Sequence, residues 1–81
     1  MKDMVEYLAK SLVENPDEVT VTQREDEDAI IIELRVLSED MGKVIGKQGR
    51  IAKSIRTLVK ASAPLDERKK IAVDIMPRDE Q

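Results

Sequence analysis

The four residues Gly46-Lys47-Gln48-Gly49 are the part of this sequence whose types and spacing offer most chemistry. A glycine on each side removes the Cβ that would keep a ligand backbone at a distance. Lys47 adds a mobile positive charge and Gln48 a group that donates or accepts hydrogen bonds. Val44, Ile45 and Ile51 supply aliphatic surface beside them, on which a base can lie. A helix starting directly after the loop points free N–H groups, and the positive end of its dipole, at the same spot, which suits a phosphate. Read alone, the glycine pair also fits a plain helix–turn–helix connection in which the glycines only cap. A nucleotide-binding P-loop is excluded, because Gly42 and Gly46 stand one residue too close, Gln48 replaces the required Ser or Thr, and no strand precedes.

The charge around the loop is one-sided. Between Met41 and Leu65 there are six basic residues, Lys43, Lys47, Arg50, Lys53, Arg56 and Lys60, and no acid. That window carries +6 and leaves −9 on the rest of a chain whose net charge is −3. Solvated helix faces ordinarily mix both signs. At about 100° per residue, Lys53, Arg56 and Lys60 share a side of a helix, with Arg50 near them. Such a patch is an electrostatic footprint for an anionic partner.

Other chemistries drop out by composition. With no histidine, the chain lacks the commonest general base and zinc ligand, and with no cysteine it has no disulfide, thiolate metal site or thiol nucleophile. No serine has a histidine to activate it, and Lys47 at a loop tip is not desolvated enough to act as a base. The acidic run Glu25-Asp26-Glu27-Asp28 reads as a solvated hairpin loop rather than a magnesium site. No enzymatic role, metal or cofactor is expected. The N-terminus carries charges every few residues without a signal-peptide core, and nothing approaches the roughly 18 apolar residues of a membrane span, so a soluble cytoplasmic protein is expected.

The elements that must position the loop follow from periodicity. Met4, Val5, Leu8, Ala9, Leu12 and Val13 place a helix over 3–14, ended by Asn15-Pro16. Val19 and Val21 alternate with threonines in a strand over 19–24. Ile30, Ile32, Leu34 and Val36 line one face of a second strand over 29–37, with Glu33 and Arg35 on the other. Ser38 is placed to cap a short helix over 39–45, with Glu39 and Asp40 favourable at its start. A helix over 49–62 follows the loop and turns Ile51, Ile55, Leu58, Val59 and Ser62 to one side. Ala63-Pro64 closes it, a charged connection covers 65–70, and Ile71, Val73 and Ile75 mark a last strand. Residues 1–77 then form a single domain, with Pro77 and a polar tail over 78–81 expected to fray. With 81 residues and Tyr7 as the one aromatic, the core must be aliphatic. The order α-β-β-α-α-β implies an α+β fold, a three-stranded sheet with helices packed on one face and Glu33, Arg35 and Asp74 toward solvent on the other.

Val44-Ile45-Gly46-Lys47-Gln48-Gly49-Arg50-Ile51 inside that order resembles the KH domain in its type II arrangement, and most closely the small stand-alone bacterial KH proteins of the KhpA family. The resemblance spans essentially the whole chain. It implies a single-stranded RNA-binding protein of low specificity, an RNA chaperone or regulatory binder, whose GxxG loop clamps about four nucleotides. By motif, Gly46 and Gly49 then allow close backbone approach, while Lys47 and Gln48 contact the phosphate–sugar chain. Ile45 and Ile51 edge the groove floor and Ile55 anchors the core. Arg50, Lys53 and Arg56 are assigned to phosphate attraction from their charge alone. A homodimer, or a heterodimer with a larger KH-containing protein of the KhpB (Jag) type, is also implied, since one short groove buries little surface. The alternative is a KH-fold protein-interaction subunit with little RNA affinity of its own.

Overall fold

Strand β2, Ala29–Val36, is the centre of the molecule. Ile30, Ile32, Leu34 and Val36 are all buried and alternate with Ile31, Glu33 and Arg35 on the opposite face, the period-two pattern of a strand covered on one side. A computed structural model describes residues 1–79 of the chain. In it β1, Thr20–Glu25, pairs antiparallel with β2 across the acidic hairpin, and β3, Lys70–Pro77, pairs parallel on the other side, giving the order β1-β2-β3. The parallel pair requires a long crossover. That crossover holds α2, Met41–Ile45, and α3, Arg50–Ser62, while α1, Lys2–Leu12, precedes the sheet.

The three helices cover one face of the sheet. Val5 and Ala9 of α1, Val44 of α2, and Ile55 and Val59 of α3 meet Ile32, Leu34, Val36 and Val73 in one aliphatic core. Each Val, Ile or Leu among them contributes about 1.5–3 kcal/mol by leaving water. On the uncovered face Arg35 and Asp74 are exposed and Glu33 is partly covered. Thr22, Glu33 and Asp74 stand in register across the three strands there, and the Thr22 hydroxyl lies 3.4 Å from Glu33. The hairpin run is a turn: the Asp26 carboxylate accepts the N–H groups of Asp28 and Ala29, each at 2.8 Å.

Four sequence expectations change. Helix α1 stops at Leu12, because Val13 turns extended and the N–H groups of Glu14 and Asn15 are captured by Asp40. Ser38 does not cap α2. Its N–H and its hydroxyl both donate to Asp79, each at 2.8 Å, and residues 38–40 form a 3-10 turn ahead of α2. Leu58 is 48% exposed, while Ala52 joins Ile55 and Val59 in the buried stripe of α3. The helix is therefore rolled by roughly 50° from the orientation its largest apolar residues suggest. The expected fraying does not begin at Pro77, which closes β3 opposite Val36. The Arg78 N–H bonds the Val36 carbonyl at 2.7 Å, and its guanidinium pairs with Glu18 at 3.1 Å. Glu80 and Gln81 lie outside the described residues.

Candidate nucleic-acid interface

Helix α2 is only five residues long and cannot hold its own position. Asp40 holds it from the N-terminal side. This carboxylate is 1% exposed and accepts hydrogen bonds from Glu14 N at 3.2 Å, Asn15 N at 3.1 Å and Asn15 Nδ2 at 3.0 Å. Burial alone would raise its pKa. The Asn15 amide, the two backbone N–H groups and the nearby Lys43 outweigh that and hold it below the ordinary aspartate value. The start of α2 is thereby pinned to the end of α1.

The other end of α2 is made of backbone. The Gly46 N–H bonds the Gly42 carbonyl at 2.9 Å, and Gly46 then takes φ 77° and ψ 174°, a conformation essentially reserved for glycine. A Cβ there would stand 2.6 Å from Cγ1 of Ile51. Residues Lys47–Gly49 form one 3-10 turn, closed by Gly49 N–H to Gly46 C=O at 3.1 Å. Gln48, with φ 58°, and Gly49, with φ 74°, are both left-handed, but a Cβ on Gly49 would meet nothing. The glycines thus do different work: Gly46 makes room for Ile51, and Gly49 sets the direction of α3.

The side chains around this turn are predominantly donors. Arg50 Nη2 donates to Gln48 Oε1 at 3.2 Å, which leaves the Gln48 amide N–H groups for an outside acceptor. Lys47, Gln48 and Arg50 are exposed, and Ile45 and Ile51 are partly buried beside them. Among the described residues the ion pairs of the molecule lie almost wholly elsewhere: Lys10–Glu6, Arg35–Glu33, Lys69–Glu25 and Arg78–Glu18. Within the basic window, among the described residues, only Lys43 has a carboxylate, Glu14 at 3.4 Å. The remaining cations of the patch keep their charge uncompensated at the surface.

The structure brings Ile45, Gly46, Lys47, Gln48, Gly49, Arg50 and Ile51 together at the loop. Lys53 and Arg56 lie farther along α3. Lys53 helps line a shallow depression of about 390 Å3 with Ser54, Thr57 and Leu58, on the outer side of the helix. Arg56 reaches the sheet, its Nε donating to the Val73 carbonyl at 3.2 Å. Asp40 was missed as a contributor, because an acid just before a short helix reads locally as a favourable dipole partner. Its true partners lie 25 and 26 residues away. Among the described residues, no three His, Cys, Asp or Glu side chains converge to hold a metal ion, and no helix is long and apolar enough to cross a membrane.

The sequence that builds this arrangement is similar to those of known proteins. A family model described as KhpA/KhpB, KH domain, matches residues 2–75. The chain is 59% identical over 76 residues to a protein of Clostridium perfringens named RNA-binding protein KhpA, covering 94% of this chain and 100% of the relative. A protein of the same name from Caldanaerobacter subterraneus is 58% identical over 76 residues, with 94% and 100% covered. Another from Listeria monocytogenes is 45% identical over 76 residues, with 94% and 99% covered. No solved structure gives a significant match.

Proposed function

The chain belongs to the KhpA/KhpB KH-domain family, and from that premise we propose that residues 1–77, as one domain, bind single-stranded RNA with low sequence specificity. The observation that carries this reading is the loop itself. A glycine turn with free donors and uncompensated cations sits beside the partly buried Ile45 and Ile51. Gly46 and Gly49 let the sugar–phosphate chain approach, Lys47 and the Gln48 amide contact it, and the two isoleucines support a base. Arg50 and Lys53 attract phosphates. The role is that of a cytoplasmic RNA chaperone or regulatory binder, not an enzyme.

The test is the double substitution Lys47→Asp with Gln48→Asp, read by fluorescence anisotropy on a short labelled RNA. Affinity should collapse while the circular dichroism spectrum and Tm stay near the parent's, and unchanged affinity overturns the assignment. With about three or four phosphates neutralised, the log–log salt dependence should have a slope near −2 to −3, at roughly 0.7 per single-strand contact.

A second reading, a protein-interaction subunit with little RNA affinity, is favoured by one feature. Leu58 is half exposed beside the depression on α3, and Leu65 just beyond the helix is fully exposed. The two readings are compatible if this surface pairs with a second copy or with a larger KH-containing protein, which would raise the effective concentration of RNA sites. An absence of RNA binding at low salt leaves only the second.

A further inference from the structure

Strand β3 is one of the two outer strands of the sheet, so every second residue turns its peptide groups away from β2. The register shows which. The Lys70 N–H bonds Asp28 C=O and the Arg78 N–H bonds Val36 C=O, so the even-numbered residues between them face β2. The peptide groups of Ile71, Val73 and Ile75 face outward. Among the described residues, one of these outward groups has a side-chain partner: the Val73 carbonyl receives Arg56 Nε at 3.2 Å. An added β-strand fits this edge poorly. Arg56 lies across it, and Pro77, in the same outward register, has no N–H to offer.

The roll of α3 is what delivers Arg56 to this place. With Ala52, Ile55 and Val59 buried, Arg56 falls at the margin of the packed face and its guanidinium meets the strand. It lies about 9 Å along the helix from Arg50 at the loop, a distance that a strand of about four nucleotides held by the loop can reach. That bond at Nε restrains the guanidinium at the strand edge. Both Nη groups, which carry parallel donors, remain without a carboxylate among the described residues. A planar fork of donors matches two adjacent acceptors. Guanine offers O6 and N7, and cytosine offers O2 and N3. Along the Watson–Crick and Hoogsteen edges of adenine, and on uracil, each acceptor has an N–H donor beside it, which a donor-only fork opposes.

Resting on the RNA-binding reading above, we propose that Arg56 is a specificity residue: it reads one base of the bound strand at the open edge of β3 and favours guanine or cytosine over adenine and uracil. Its charge assigned it to phosphate attraction, but its anchorage assigns it to a base edge.

The experiment measures the full chain against labelled hexauridine and against hexamers whose two central positions are changed to A, C or G. The parent should bind the C strand, the G strand or both about tenfold more tightly than the U and A strands, within the ~1–3 kcal/mol a bidentate pair supplies, and the C and G arms separately identify the base. Arg56→Lys keeps the charge and loses the fork. It should reduce that preference below about twofold, with the preferred strands losing more affinity than hexauridine. Arg56→Gln should remove the preference as well. A uniform loss across all four strands in Arg56→Gln, with the salt slope shallower by about 0.7, overturns the proposal in favour of a phosphate contact. A parent that binds all four equally overturns it and leaves RNA binding intact, whereas a parent that binds none overturns both. An unchanged base preference in Arg56→Lys, with new self-association in sedimentation, would assign the edge to strand pairing instead.

Discussion

Where α2 begins, a buried carboxylate grips backbone and side-chain N–H groups from a distant segment. Where it ends, a glycine turn closes on itself with no side-chain cap. The first end is polar and buried, and no buried side-chain polar atom among the described residues lacks a partner. The second is exposed, left-handed at two residues, and holds its donors toward solvent. The contrast teaches how a very short helix can present a strained turn to a ligand. Strain of this kind persists only when the surroundings over-determine it, and here the surroundings are the Asp40 clamp on one side and the core contact of Val44 on the other.

The largest way to break that contrast is at Asp40. Asp40→Ala leaves the N–H groups of Glu14 and Asn15 facing a closed site without an acceptor, and the apparent Tm should fall by roughly 10 °C or more. RNA affinity should fall with it, because α2 loses its hold on the loop. Asp40→Asn sharpens the point through pH. The folded-state pKa is depressed, so the carboxylate contributes stability that is fully present above the ordinary aspartate value, about 3.9, and is lost as pH falls through the folded value. Urea titrations from pH 7 down to acid should show this loss in the parent. A shallower acid slope is expected in Asp40→Asn, and identical slopes would mean that the carboxylate is not the clamp.

That clamp was not legible in the sequence, whereas the loop was. Gly46 and Gly49 announce themselves because a positive φ is a local requirement, met by the residue at that position. The buried face of β2 is equally local, four alternating aliphatic residues in one run. Asp40 with Asn15, and Ser38 with Asp79, are pairings across 25 and 41 residues, and nothing in their neighbours specifies them. The roll of α3 escaped for a related reason. Leu58 outweighs Ala52 by apolar size, yet Ala52 is buried with Ile55 and Val59 while Leu58 is 48% exposed. Arg56 stands out in the sequence by its charge, yet where its guanidinium rests depended on that roll.

The next comparison lies within the loop. Gly46→Ala meets both a glycine-only conformation and Ile51 at 2.6 Å, and should cost about 2–4 kcal/mol. Gly49→Ala meets open space and pays only for φ 74°, about 1 kcal/mol. Chemical denaturation of the two variants should separate them by at least twofold in lost stability. Combining Gly46→Ala with Ile51→Ala should recover the steric part of the loss but not the conformational part, a non-additivity that a double-mutant cycle reads directly. Equal losses in the two single variants would show that backbone conformation alone governs the turn.

The smallest effect is expected at Gln48, the one left-handed residue of the turn that is not glycine. Asparagine tolerates that conformation better than glutamine and keeps an amide, while its shorter side chain surrenders the bond from Arg50. An exposed hydrogen bond of this kind is worth little against backbone strain. Gln48→Asn should therefore gain stability, about 0.5 kcal/mol or roughly 2–4 °C in Tm, with RNA affinity lowered only slightly because the amide no longer reaches as far. A calorimetric scan decides the sign. A Tm that falls by several degrees would mean that Arg50 and Gln48 together hold the turn, and the exposed end of α2 would then have a side-chain clamp of its own to set beside Asp40.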